Sequence, residues 1–321
     1  MNYIVFDLEW NQCPYGKERE CASLPFEIIE IGAVKLNQNM EVEDRFYRVI
    51  KPSVYHTLHF RTKRIVGLST EDLKKGDPFP EAVRAFFAWA GPDAIFCTWG
   101  GMDLVELQRN MEYYKILYQL KGPLHFLDVQ KLYAIQHETM EKRRALEYAV
   151  EKLGLEKEAV FHNALADADY TAQILQTIEQ PVIMTYDSID MYQCPQRKED
   201  EIYAVYNGHT KYISREFESK EAAMQDPEVR SVRCCICGRK CRQKLRWFSV
   251  SARNYYCAAV CPEHGYLKGT IRMLHTSGNG FFVMKKIKVT SEQEADLLSE
   301  KKRSVRRRRN RRIQGEANEA I

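Results

Sequence analysis

Ile4-Val5-Phe6-Asp7-Leu8-Glu9-Trp10 is an apolar run interrupted twice, each time by a carboxylate. Branched and aromatic residues in so short a run predict a strand. Side chains two apart on a strand share a face, so Asp7 and Glu9 project together, opposite Phe6, Leu8 and Trp10. Two more such runs, Phe26–Leu36 and Arg45–Ile50, follow closely enough to be joined antiparallel. Pro80–Ala90 has helical spacing in Val83, Phe86, Phe87 and Ala90 and stops at Gly91-Pro92. Ala94–Trp99 predicts a short strand, Gly101–Leu120 a helix and His125–Val129 a fifth strand. Arg144–Leu153 and Ala164–Ile178 predict two further helices, the second halted before Pro181. Three antiparallel strands followed by alternating helices and strands give an α/β chain with a mixed sheet, one of several arrangements this order allows.

Two carboxylates on a largely buried strand repel each other and lose hydration, so they need compensation. A divalent cation supplies it, and hard oxygen ligands favour magnesium or manganese. A lone D-x-E is also the pattern of an exposed edge strand with a solvated acidic face. Two more segments bear on the choice. Phe96-Cys97-Thr98-Trp99-Gly100-Gly101-Met102-Asp103 sets an aspartate where a strand gives way to a helix, a position the helix dipole favours in any protein. Phe161-His162-Asn163-Ala164-Leu165-Ala166-Asp167-Ala168-Asp169 sets a histidine ahead of a helix and two aspartates in its first turns.

Taken in order, F-D-L-E-W at 6–10, W-G-G-M-D ending at Asp103 and H-N-A-L-A-D at 162–167 resemble the three motifs of the DEDDh group of 3′–5′ exonucleases. That is the family of ribonuclease T and of the proofreading subunit of bacterial DNA polymerase III. E-I-I-E-I-G-A-V at 27–34, I-V-G-L-S at 65–69 and F-P-E-A-V at 79–83 are similar too, and the resemblance covers residues 1–180. The W-G-x-x-D form looks most like the RNA-processing branch typified by enhancer-of-RNA-interference exonucleases. The resemblance implies a ribonuclease-H-like mixed sheet flanked by helices. It implies that Asp7, Glu9, Asp103 and Asp167 hold two Mg²⁺ (or Mn²⁺) ions, one activating a water and the other stabilising the leaving 3′ oxygen. His162 is then the general base, since imidazole accepts a proton near neutral pH. Asp167 fits the family spacing from His162 better than Asp169, and the two point about 200° apart on a helix. Trp10, just after the D-x-E pair, is where the family borders the terminal nucleotide; an aromatic there stacks on a base or simply packs in the core, as does Trp99.

Six of the ten cysteines crowd between Cys234 and Cys261. Cys234-Cys235-Ile236-Cys237-Gly238 and Cys261-Pro262-Glu263-His264-Gly265 read as two zinc knuckles, turns whose glycine permits the tight backbone that aims both ligands at one metal. Cys234, Cys237, Cys261 and His264 then form a closed Cys₃His site for one structural Zn²⁺, with Cys235, Cys241 and Cys257 close enough to substitute. A hairpin of Arg246–Val250 with Tyr255–Cys257 fits between the knuckles. Residues 230–275 hold ten Lys or Arg against one acidic residue, with aromatics between them. That suits a single-stranded nucleic-acid platform, and it also suits a metal-stapled module whose aromatics are its core.

Of the 321 residues, 45% are apolar and 29% charged, an ordinary globular balance, and the net charge is +4. Residues 1–180 carry 21 basic against 27 acidic side chains, while 301–321 carry nine against two. An acidic body with a basic tail suits a protein that binds cations at its core and phosphates at its end; a solubilising tail fits as well. No apolar run reaches membrane-spanning length and the amino terminus lacks secretory features, so the expectation is a cytoplasmic chain with no membrane partner. The expected organisation is a nuclease domain over 1–183, a linker with the hairpin Ile202–Tyr206/His209–Ser214 over 184–230, a small β-rich zinc-ribbon-like module over 231–290, and a helix with the basic tail over 291–321. The expected function is release of nucleotides from single-stranded RNA 3′ ends. A DNA-directed exonuclease and a non-catalytic zinc-dependent nucleic-acid-binding protein are the alternatives.

Overall fold

The structure, a computed structural model, describes residues 2–138, 142–156, 161–276 and 278–318, with side chains placed in the last helix up to Arg308. Ser277 and the side chains at the end of the basic tail lie outside the described residues. The chain divides into two compact units, Met1–Tyr192 and Gln193–Ile321.

The first unit is built on a six-stranded sheet. Strands β1 (Asn2–Gln12), β2 (Phe26–Leu36) and β3 (Val42–Val49) pair antiparallel. β4 (Ala94–Thr98) and β5 (His125–Asp128) add in parallel on the other side of β1, and β6 (Ser188–Ile189) closes the sheet antiparallel to β5, giving the order β3-β2-β1-β4-β5-β6. Short helices α1 (Phe60–Ile65) and α2 (Thr70–Lys74) follow β3. Helices α3 (Phe79–Ala90) and α4 (Met102–Tyr113) cover one face; α5 (Val129–His137), α6 (Leu146–Lys152), α7 (Ala164–Thr177) and α8 (Gln180–Thr185) cover the other. Central strand β1 therefore feeds two cores: Ile4, Phe6 and Leu8 pack with α3 and α4, Tyr3 and Val5 with α7. A strand buried on both faces reads as the near-continuous apolar run seen in the sequence.

Three differences from the sequence reading have physical causes. The helix expected over Gly101–Leu120 ends at Tyr113 because Lys115 takes a left-handed φ of 57°. Its N–H bonds Glu112 O at 3.0 Å and that of Ile116 bonds Met111 O at 2.8 Å, a Schellman cap normally announced by glycine. The first unit runs past residue 183, because β6 pairs with β5 and the Tyr192 hydroxyl bonds Glu112. Finally, β7 (Ile202–Tyr206) and β8 (His209–Ile213), placed by sequence in a linker, join the sheet of the cysteine cluster through the pairing of β8 with β12 (Phe281–Val289).

That second sheet is antiparallel throughout, in the order β7-β8-β12-β11-β10-β9, with β9 spanning Arg242–Ser249, β10 Asn254–Cys261 and β11 Gly265–His275. Helices α9 (Lys220–Gln225) and α10 (Pro227–Arg230) pack beside it. The final helix, α11 (Glu292–Asn318), docks on β10 through Ala295 and Leu298 against Ala258.

Candidate active site and metal centre

The carboxylates gather where β1 outruns its neighbour. Pairing of β1 with β4 ends at Val5–Cys97, so the N–H of Leu8 lacks a strand partner there. The carboxylate of Asp103, in the first turn of α4, takes it instead, with Oδ1 accepting at 3.3 Å. Burial comes first among the causes that push Asp103 up to about 7, with the Asp167 charge adding to it against the bond from Leu8. Asp7 is held well above the ordinary carboxylate range by burial and by Asp103, Asp167 and Glu9.

Glu9 stands directly across the β1–β2 ladder from Glu30, and a register shift follows at once between Glu9 and Trp10. Like charges paired across strands destabilise the pair. Burial and then Glu30 push Glu9 up to about 8, and burial pushes Glu30 up to about 7. Glu30 is nonetheless held: its Oε2 accepts the N–H of Ala164 at 3.2 Å and the Asn163 amide at 3.4 Å. It thus caps α7, the helix that carries Asp167. The sequence reading leaves out Glu30, which lies inside the apolar run of β2; only its pairing with Glu9 across the ladder marks it.

Gly32 brings the same helix close. A Cβ at Gly32 would stand 2.1 Å from the backbone of Ala164 and Leu165, so only glycine lets α7 lie against β2 there. Asp167 Oδ2 accepts the N–H of His162 at 3.1 Å, while its Oδ1 is buried with no hydrogen-bond partner among the described residues. Burial pushes Asp167 up to about 6. Asp169 faces away and pairs with Arg45 at 2.9 Å. His162 adopts a left-handed φ of 66° just before the Asn163 cap, a conformation uncommon outside glycine, and its Nε2 lies 3.8 Å from Glu147 Oε1. Ligand atoms of Glu9, His162 and Asp167 all fall within 4.8 Å of one another.

These groups open onto a cleft of about 470 Å³, which Asp7, Glu9, Asp103, His162 and Asp167 all line. Trp10 lines it too while packing against Phe26 at 5.9 Å, and Trp99 lines it while donating to Arg144 O at 3.1 Å. Gln12, Arg61 and Thr62, outside the motifs quoted from the sequence, line it as well, with Leu8, Ile65 and Met102. The donor set fits a hard divalent cation: four carboxylates resist ionising together without one, and Asp167 Oδ1 is buried without a hydrogen-bond partner among the described residues.

In the second unit Cys234, Cys237, Cys261 and His264 converge, their ligand atoms within 4.8 Å of one another. The glycines after each knuckle take the left-handed φ the turns need, 69° at Gly238 and 74° at Gly265. Tetrahedral zinc with bonds of ~2.3 Å to sulfur and ~2.05 Å to nitrogen requires about 3.8 Å between sulfurs and about 3.6 Å from sulfur to nitrogen. Cys237 and Cys261 sulfurs lie 3.7 Å apart, and His264 Nδ1 lies 3.6 Å from the sulfurs of both Cys234 and Cys261. Burial alone would raise the Cys261 thiol, but the Glu263 N–H and His264 outweigh it and pull it down to about 6, as a thiolate ligand requires. Cys235 instead donates to Gly208 O at 3.5 Å and Cys241 to Arg239 O at 3.2 Å, and Cys257 is buried beneath Gly269.

A mixed sheet carrying carboxylates from its first strand and from a helix on each face defines the ribonuclease-H-like nuclease fold, here of the DEDDh type. The family described as Exonuclease (RNase_T) matches residues 4–175, and the chain belongs to it. The proteins named 3′-5′ exoribonuclease 1 of Rattus norvegicus and Mus musculus are each 25% identical over 172 residues, 49% of this chain and 48% of theirs. The chain thus spans about half the length of these curated relatives. Among solved structures, the nuclease domain of 3′hExo, a DEDDh family member bound to rAMP, shares the fold with a TM-score of 0.51 at 20% identity, over 59% of this chain and 97% of that one. Among the described residues no helix is long and apolar enough to cross a membrane.

Proposed function

We propose that the chain is a 3′–5′ exoribonuclease that hydrolyses single-stranded RNA from its 3′ end with two Mg²⁺ or Mn²⁺ ions. The observation that carries this is the convergence of Asp7, Glu9, Asp103 and Asp167, with Asp167 Oδ1 buried and unpartnered. The name of the rodent relatives favours RNA over DNA. These four carboxylates would hold the ions, which when bound supply an activated water and neutralise charge developing at the phosphate. His162 accepts the water's proton on Nε2, and Glu147 beside that atom stabilises the imidazolium. Arg61 offers a cation to a phosphate entering the cleft, and Trp10 an aromatic edge to the terminal base. Cys234, Cys237, Cys261 and His264 hold one structural zinc in the second unit, supported by the tetrahedral spacing of their atoms. Cysteines 13, 21, 97 and 194 are free thiols, in keeping with a reducing, cytoplasmic setting.

The test is a digest of matched 5′-labelled RNA and DNA, single-stranded and hairpin, with Mg²⁺. A ladder shortening from the 3′ end on single-stranded RNA is expected. Faster digestion of DNA would replace the substrate assignment, and no digestion of either would remove the nuclease reading.

A further inference from the structure

The second unit holds a groove of about 640 Å³ that none of this chemistry uses. The end of α10 lines it on one side and edge strand β9 on the other, with Arg230, Ser231, Lys240, Arg242, Gln243 and Arg246 contributing. All four cations are exposed, and no carboxylate is among the lining residues. Among the described residues none of the four has an ion-pair partner, whereas neighbouring Arg233 and Arg239 pair with Glu228 at 3.6 Å and Glu263 at 2.6 Å. Unpaired like charges in one concavity focus their field on any anion that enters.

The wall that presents Arg230 is fixed from two strands. The Arg230 carbonyl accepts from the Gln243 amide at 2.8 Å and from the Trp247 indole at 2.9 Å, both on β9. Lys285 of β12, only 2% exposed, donates to Glu228 O and Ser231 O on the same turn. A buried ammonium is costly to keep, and burial pushes this one down to about 8. The cost goes into holding one short turn against the groove.

Arg242 and Arg246 stand four residues apart on a strand, about 13 Å, more than one phosphate group spans. Three of the four cations are arginines, whose planar fork matches phosphate oxygens. We propose that this groove grips the sugar–phosphate backbone of single-stranded nucleic acid, with Arg230, Arg242 and Arg246 meeting successive phosphates. The choice of nucleic acid over another polyanion rests on the exonuclease reading.

A labelled single-stranded RNA is titrated against the full chain over a range of salt, in an Asp103→Asn background without added Mg²⁺ and without chelator, so that nothing is cleaved and the zinc stays in place. Each lost phosphate contact flattens the fall of log affinity with log salt by about 0.7, so Arg242→Gln/Arg246→Gln should flatten it by about 1.4 and each single change by half that. Arg272→Gln, an exposed charge of β11 outside the groove, should leave the slope as it was. Unchanged melting temperatures establish that the variants fold. Parallel slopes, or equal flattening by Arg272→Gln, would overturn the proposal. Polyglutamate of matched charge competing as well as RNA would also overturn it, assigning the groove to an acidic protein segment. Binding and hydrolysis fail separately: flattened slopes without digestion keep the groove and lose the nuclease, and digestion with parallel slopes does the reverse.

Discussion

Replacing Gly32 by alanine tests how tightly the fold sets the position of Asp167. The new Cβ would stand 2.1 Å from backbone atoms of Ala164 and Leu165, where ordinary contact begins at 3.4 Å. The neighbours are main chain, so no side chain can swing aside. Either α7 or β2 must move by at least about 1.3 Å along that line, the difference between these two distances. Asp167 sits one turn into α7 and travels with it. Overpacking of this kind costs about 1–3 kcal/mol, which for a unit of this size lowers the melting temperature by roughly 2–12 °C. A misplacement near 1 Å in a catalytic constellation costs on the order of 10²-fold in rate. The assay pairs a melt with single-turnover digestion of labelled RNA across Mg²⁺ concentration, and half-maximal activity should need more Mg²⁺ than in the unaltered chain. Gly67→Ala is the control, since nothing lies within 4 Å of its Cβ position. If Gly32→Ala melted like the unaltered protein and cut within threefold of it, the close approach of α7 would not be what positions Asp167.

Asp103→Asn should remove nearly all digestion, and His162→Ala should slow it by about 10²–10⁴-fold with Mg²⁺ binding retained; near-normal rates in either would contradict the assigned roles. Glu9, Asp103 and Asp167, held near 8, 7 and 6, bind more protons folded than unfolded above their ordinary range near 4. Protein without Mg²⁺ should therefore lose stability as pH rises from about 5 to 8, and added Mg²⁺ should restore it at the upper end; a melting temperature climbing with pH in the absence of Mg²⁺ would refute this. Protein prepared without chelator should carry about one zinc per chain, and Cys237→Ser should release it; metal analysis finding none refutes the centre. Truncation after Glu300 strips Lys301 and Lys302 from the rings of Tyr256 and Phe248, and if about half the other seven charges meet RNA, it flattens the salt slope by about 2; parallel slopes exclude the tail as an RNA contact.

The candidate carboxylates are legible in the sequence because they break local rules. Asp7 and Glu9 interrupt an apolar strand, where two like charges need compensation. Glu30 obeys no visible rule: Glu27 in the same strand accepts the N–H groups of Ser53, Val54 and Tyr55, whereas Glu30 faces Glu9 across the ladder, and a single sequence numbers neither set of partners. The end of α4 was hidden for a related reason, since a lysine at 115 takes the conformation for which glycine is the written signal. Asp167 and Asp169 needed helix phase to be told apart, and the Arg45 pair on the second supplies the physical reason. Asn207-Gly208 between its two strands marks the β7–β8 hairpin, yet its place in the sheet depends on β12, far along the chain, and local patterns carry no such distance.

Helix α11 has a mechanical consequence. Twenty-seven residues of helix extend about 40 Å, while the apolar contacts that dock it lie near its start, at Ala295 and Leu298. Beyond them Lys302 and Arg306, and Arg303 and Arg307, repeat four apart, a spacing that sets like charges side by side and loosens a helix. The backbone there is a cantilever whose stiffness depends on the ions around it. Salt or a polyanion that screens the arginines lengthens the rigid arm, and dilute buffer shortens it. The reach of the basic end is thus a property of the surrounding solution as much as of the chain.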